Sequence, residues 1–261
     1  MHAWAARPTE ILLACNEEQK KRYLDPCVTG EKRELFALTE PEAGSDIMSM
    51  KTHAKKDGND WIMNGSKHFI SGPVMPDFAI VFASTGEDET PRGKRKRITA
   101  FLVDVGENGF EIGIGTKCVS YRGYHAFRLN FSDVRLGPNQ ILGEEGKGFY
   151  QMMAQLPQER LIIGCSAVGA MEGALERTIS YCKERQAFGG PILQFQNTKF
   201  KLAESKTKTM VARAFLDNCI EEHLQGDLTV DKAAMCKYWL TDTQGEVLDE
   251  CLQLHGGYGF M

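Results

Sequence analysis

The apolar positions of this chain change period twice. From Thr9 to Leu24 they recur at helical spacing, with Ile11, Leu12, Leu13 and Tyr23 apolar and Glu17 to Lys21 charged, which predicts one or two helices. Between Phe36 and Leu142 the pattern becomes alternation and short apolar runs separated by turn signals. The runs include "FAIVFAST", "ITAFLVDV", "FEIGI" and "HAFRLNFSDVRL". In "KTHAKKDGNDWIMNGSKHFIS", Asp57-Gly58 is expected to turn between two strands and Asn64-Gly65 to turn before a third, because both dipeptides suit tight hairpins. About seven short strands in succession predict an antiparallel barrel or sandwich. From Gly146 onward the spacing predicts three long amphipathic helices, each closing at a glycine, with Thr229 as the N-cap of the third. Such helices joined by short loops make most of an antiparallel bundle, which four helices usually close.

Composition narrows the function classes. With 42% hydrophobic and 25% charged residues the chain is an ordinary globular one, and a net charge of −4 offers no footprint for nucleic acid or an anionic membrane. The basic cluster Arg92 to Arg97 follows the acidic Glu87 to Glu89 and reads as a solvated loop. Eight scattered cysteines without a Cys-x-x-Cys pair read as buried thiols in a reducing compartment. Six dispersed histidines lack metal-ligand spacing, so no metal is expected. No early stretch resembles a signal peptide, and no run reaches the roughly 18 apolar residues of a membrane span. A soluble, intracellular protein is expected.

Three places combine residues that can do chemistry. "LPQER", residues 156–160, puts Glu159 and Arg160 inside an apolar stretch from Phe149 to Cys182. A solvated helix face accounts for the pair, and so does a carboxylate made basic by apolar surroundings. Pro157 requires the helix to start, bend or break nearby; a start would let the helix dipole favour the charged carboxylate. "ALTEPEAGSD", residues 37–46, is either an ordinary turn or an anion-binding nest, with Gly44 allowing close backbone approach and Thr39 and Ser45 adding hydroxyl donors. Arg185, at a helix end, can fork onto a diphosphate or pair with Glu184; Gly256-Gly257 reads at least as a helix stop.

"FALTEPEAGSD" resembles the first signature of the acyl-CoA dehydrogenase family. "EEQKKRYL", "IMNGSKHFIS", "ERQAFGGPILQFQ" and "LQLHGGYGF" resemble further segments of that family in the same order, over nearly the whole chain. The match around "LPQER" looks closest to the long-chain branch. The resemblance implies an α+β multidomain fold: residues 1–34 a remnant of an N-terminal helical domain, 35–143 an antiparallel β-barrel or sandwich, and 144–261 three helices of a C-terminal four-helix bundle. It also implies a chain cut short at both ends.

The resemblance further implies FAD as cofactor, contacted by Phe36, Leu38, Thr39, Gly44, Ser45, Phe69 and Ser71. Thr39 would bond the flavin pyrimidine edge, Ser45 the pyrophosphate, and Phe69 would stack near the isoalloxazine. Arg185, Phe188, Gln196, Gln253, Gly256 and Gly257 would reach the FAD of a neighbouring subunit in a dimer or tetramer. The implied reaction is α,β-dehydrogenation of an acyl-CoA thioester, Glu159 taking the α-proton, Arg160 and Ser45 binding substrate, and an electron-transfer flavoprotein accepting the electrons. The alternatives are an acyl-CoA oxidase and a non-catalytic homologue or interaction subunit. The compartment would be cytoplasm in a bacterium and mitochondrial matrix in a eukaryote. "CVSYRGYHAFRLNF", residues 118–131, departs from the usual family run, with His125 and Arg128 where substrate contacts are expected.

Overall fold

A computed structural model describes residues 8–72, 75–91, 93–119 and 125–261. The chain divides into two compact units, the first through Met153 and the second from Ala154.

In the first unit, short helical turns precede a sheet. A 3-10 turn, Glu10–Ala14, is followed by α1 (Glu17–Gln19), a π turn (Lys20–Leu24) and α2 (Asp25–Thr29). Asn16 and Gln19 form a reciprocal capping box at the start of α1, satisfying N–H groups that a helix start leaves unpaired. The seven strands are β1 (Glu34–Ala37), β2 (His53–Asp57), β3 (Asp60–Gly72), β4 (Phe78–Thr90), β5 (Gly93–Asp104), β6 (Phe110–Thr116) and β7 (His125–Leu136). They run in the order β1-β4-β2-β3-β7-β6, with β5 on the other side of the pairing to β4. Four pairings are antiparallel as the alternation predicts, but β4 pairs in parallel with β1 and with one residue of β2. The sheet is therefore mixed. Hairpin signals report neighbours in sequence, whereas these parallel contacts join strands separated by long connections.

Strand β4 explains why "FAIVFA" is apolar throughout. Phe78, Ile80 and Phe82 point to one side, where they pack with Ile11, Leu12 and Tyr23 of the helical turns. Ala79, Val81 and Ala83 point to the other, into a core shared with Leu35, Trp61, Met63, Leu129 and Phe131. Alternation in direction with apolar residues on both faces marks a strand covered on both sides. Tyr23 is anchored on this arrangement, its ring 4.8 Å from that of Phe78 and its hydroxyl donating to Asp104 Oδ2 at 2.9 Å.

Two local readings change. A tight turn does follow Asp57 between β2 and β3, with Gly58 and Asn59 at its centre, but Asn64-Gly65 lies inside β3, at a register shift between Met63 and Gly65. The glycine is needed there because a Cβ would lie 2.6 Å from the Thr52 Cα. The basic run is likewise no loop: residues 93–97 belong to β5 and pair with the acidic end of β4, Arg97 bridging to Asp88 at 2.5 Å. Arg92 lies outside the described residues, as do residues 1–7 of the N-terminal stretch and 120–124 of the divergent "CVSYRGYHAFRLNF" run.

The second unit is built on α3 (Gly148–Glu184, from Ala154 on), α4 (Gln196–Gln225) and α5 (Val230–Leu254). Leu202, Ser205, Thr209, Ala212, Leu216 and Cys219 of α4 are buried at alternating three- and four-residue steps, the spacing of a bundle seam. The apolar ones, Leu202, Ala212, Leu216 and Cys219, share a core with Leu161, Val168, Met171 and Leu175 of α3 and Cys236, Leu240 and Val247 of α5. Thr229 caps α5 as predicted, and Gly226 closes α4 in a left-handed conformation. Helix α3 ends differently: Glu184 leads into a small hairpin of β8 (Gln186–Ala187) and β9 (Gly190–Pro191). A last short helix, α6 (Gly257–Phe260), follows α5. Pro157 lies inside α3, which runs on through it. All eight cysteines are free and six are buried; Cys118 and Cys165 are exposed. Among the described residues no helix is long and apolar enough to cross a membrane, and no cluster of His, Cys, Asp or Glu could hold a metal.

Candidate functional site

In the first unit, the segment 36–46 and strand β3 lie against each other. Phe36 and Leu38 are half-buried and pack on the core beneath the helical turns, Phe36 5.1 Å from the Phe82 ring. Thr39, next in the chain, accepts a hydrogen bond through its carbonyl oxygen from His68 N–H at 2.8 Å. Glu40 and Ala43 exchange backbone hydrogen bonds of 3.0 and 3.3 Å, closing a turn around Pro41. Gly44 and Ser45 emerge from it exposed to solvent.

Under this turn lies a pair that the sequence reading missed. Lys67, wholly buried, donates to Glu40 Oε1 at 2.8 Å and to the Leu38 carbonyl oxygen at 3.0 Å. Glu40 also accepts the N–H groups of Lys51 at 2.6 Å and Thr52 at 3.0 Å. Burial alone would push the Glu40 carboxyl upward, but the Lys67 ammonium and these hydrogen bonds hold it below its ordinary value. Burial lowers Lys67 to about 8 against the pull of Glu40. The sequence signal was present: a Lys in strand alternation with apolar Trp61 and Met63 is an inward-facing cation that needs a partner.

Beyond Lys67, β3 bulges. Lys67 pairs with Leu129 and Ile70 with Phe127, so three steps on β3 match two on β7. The extra residue is accommodated by Phe69 at φ 56°, which leaves its ring 55% exposed and 4.0 Å from that of His68. A bulky residue in the left-handed region costs about 1–3 kcal/mol and persists only where its surroundings enforce it. Ser71, half-buried, pairs with Ala126. Among the described residues, the buried His68 Nδ1 has no hydrogen-bond partner.

In the second unit, Glu159 and Arg160 are half-buried on α3. Glu159 is the twelfth residue of α3, past the first turn, where the helix dipole fades; the start at Pro157 that would have favoured the charged form is not present. Gln155, one helical turn earlier and only 5% exposed, donates from Nε2 to Glu159 Oε1 at 2.9 Å. Its own Oε1, like Arg160 Nη1, is buried without a hydrogen-bond partner among the described residues.

Farther along, Arg185 follows the end of α3. Its backbone N–H donates to Tyr181 O at 2.8 Å and its carbonyl accepts from Ile192 N–H at 2.9 Å. With Gly256, Gly257, Tyr181, Ile192, His255 and Tyr258 it lines an open cleft of about 830 Å³. His255 stacks on Tyr181 at 4.5 Å. Phe188, Gln196 and Gln253 are exposed and are not in the lining. Phe188 adopts φ 53° with its ring 95% exposed. Among the described residues three non-glycine positions have left-handed φ, and two of them are exposed phenylalanines.

Two family models match this chain: the acyl-CoA dehydrogenase middle domain over residues 35–134 and the acyl-CoA dehydrogenase C-terminal domain over 146–261. A crystal structure of acyl-CoA dehydrogenase from Geobacillus kaustophilus superposes with a TM-score of 0.90 at 39% identity, over 98% of this chain and 67% of that one. The chain belongs to the acyl-CoA dehydrogenase family. Among curated family members, the mitochondrial long-chain specific acyl-CoA dehydrogenase of Sus scrofa is 43% identical over 94% of this chain and 57% of its own length. A glutaryl-CoA dehydrogenase from Mycobacterium smegmatis, solved in complex with FADH2, superposes with a TM-score of 0.86 at 28% identity, over 96% of this chain and 63% of that one. The chain thus spans little more than half the length of the Sus scrofa member. Family members are FAD-dependent oxidoreductases.

Proposed function

We propose that this chain carries the FAD-binding and proton-abstracting parts of an enzyme that converts an acyl-CoA thioester to its trans-2-enoyl-CoA. The observation that carries the cofactor reading is Phe69: a strained, half-exposed aromatic ring, set by a bulge beside an exposed Gly44-Ser45 turn, is a stacking platform next to backbone and hydroxyl donors. These residue types fit an isoalloxazine and its phosphates. Thr39 and Ser71 add hydroxyls on the same segment and strand, with Phe36 and Leu38 as the apolar support beneath. Arg185, Gly256 and Gly257 supply a guanidinium and close backbone approach in the second unit's cleft, in the role of completing a neighbouring protomer's cofactor. Phe188, Gln196 and Gln253 are assigned to that same contact. A homo-oligomer, dimer or tetramer, follows.

Bound FAD would supply the two-electron acceptor for the substrate's β-hydride. Glu159 takes the α-proton onto a carboxylate oxygen, with Gln155 orienting that carboxylate through its 2.9 Å hydrogen bond. Arg160 and Ser45 bind the substrate, and Arg160 brings a buried donor that has no hydrogen-bond partner among the described residues. The proposed electron acceptor is an electron-transfer flavoprotein. Anaerobic addition of acyl-CoA to FAD-loaded protein should bleach the flavin absorbance. Glu159→Gln should bind FAD as before and fail to bleach; bleaching at the wild-type rate would remove Glu159 from the reaction. Protein that cannot be loaded with FAD would refute the reading of this chain as a flavoprotein.

A further inference from the structure

The Glu40–Lys67 pair joins the two pieces of backbone that carry the proposed flavin contacts. Glu40 sits between Thr39 and the Gly44-Ser45 turn; Lys67 stands two residues before Phe69. The carboxylate gathers Lys67 Nζ and the N–H groups of Lys51 and Thr52, and Lys67 also holds the Leu38 carbonyl. The Thr39 carbonyl is bonded in turn by His68 N–H. Every one of these bonds lies within the first unit, and none requires a ligand. A buried pair of charges is a poor source of stability compared with apolar packing, which leaves its geometry as the feature to explain.

We propose that Glu40 and Lys67 are positioning residues, a latch that sets the Thr39–Ser45 segment against the Phe69 bulge before cofactor arrives. This rests on the reading of the chain as FAD-binding. Preorganisation of this kind removes an ordering cost from binding, so breaking the latch weakens binding even where the fold survives. Lys67→Met strands the Glu40 carboxylate and Glu40→Gln strands the Lys67 ammonium. The double variant strands neither and keeps the site testable where a single variant fails to fold.

The test is FAD titration of the apo chain by fluorescence quenching, with visible circular dichroism of the bound flavin and hydrogen exchange over residues 38–52 in the absence of FAD. Each single variant is expected to weaken FAD binding about tenfold or more, alter the flavin dichroism and speed exchange over 38–52. The double variant is expected to lose less than the two single losses combined. Variants that melt earlier yet bind FAD with wild-type affinity, dichroism and exchange would overturn the latch, leaving the pair a packing feature. Wild-type chain that takes up no FAD would instead overturn the cofactor reading.

Discussion

Two glycines that look alike in the sequence should respond very differently to alanine. Gly58 has φ 62° and nothing within 4 Å of where a Cβ would stand, so Gly58→Ala costs only the left-handed backbone, about 1–2 kcal/mol. Gly65 has φ 144°, and its Cβ would stand 2.5 Å from Thr52 Oγ1 and 2.6 Å from Thr52 Cα. The backbone strain contributes about 1–3 kcal/mol. Because the second obstacle is main chain of Thr52, the residue just before β2, relief needs that segment to move, and overpacking of that kind costs about 1–3 kcal/mol more. Gly65→Ala should therefore destabilise the sheet unit by about 2–6 kcal/mol, against about 1–2 for Gly58→Ala. The assay is urea unfolding read by Trp61, buried and 5.9 Å from the Phe101 ring, with Trp4 and Trp239 replaced by Phe so that it is the sole reporter. Equal midpoints for the two variants at unchanged slope would refute the bulge and restore Asn64-Gly65 as a turn.

The pH dependence of stability tests the buried pair. Below the unfolded carboxylate value of about 4.3 the unfolded chain binds the proton first, so the stability from Glu40 is full at neutral pH and lost as pH falls through its lowered folded value. Lys67 releases its proton near about 8 when folded and near 10.5 when unfolded; between these the unfolded chain holds more protons, and stability rises with pH. Urea midpoints from pH 7 to 10 should therefore climb in the wild type relative to Lys67→Met, and parallel curves would contradict the burial of the ammonium. Thiol titration of the native chain should count two accessible cysteines, Cys118 and Cys165, and eight in denaturant; more than two without denaturant would mean that one of the buried cores opens readily. Arg185→Ala, at an exposed side chain, should leave the thermal midpoint nearly unchanged while lowering FAD uptake, and unchanged uptake would remove Arg185 from the cofactor contact.

The element types were legible because each rests on local chemistry. The helix periods, the Thr229 cap, the Asp57-Gly58 turn and the strand runs depend on residues a few positions apart. The candidate site of the proposal was nameable residue by residue, Thr39, Gly44, Ser45, Phe69, Glu159 and Arg185, because the motifs that resemble the family's occupy contiguous stretches. Three features were not legible. Asn64-Gly65 reads as a turn because the dipeptide says only that positive φ is available, while the strand continues past it against Thr52, thirteen residues before Gly65. Pro157 reads as a start, bend or break because the rule is local; α3 runs on through it, so neither a start nor a break is present. The acidic and basic runs around Pro91 looked like loop because their pairing as β4 and β5 is a matter of register.

By itself, then, the sequence determined most helix and strand segments, which follow from side-chain chemistry and short-range spacing, and the family, which follows from the resemblance of its ordered motifs; that resemblance also supplied the candidates for touching a flavin or moving a proton. Only the tertiary structure decided that Lys67 reaches Glu40, that a bulge turns Phe69 outward, and that Gln155 holds Glu159. Each of these depends on a contact or on a strand register set by packing, and on whether a neighbouring surface leaves a polar group any other partner.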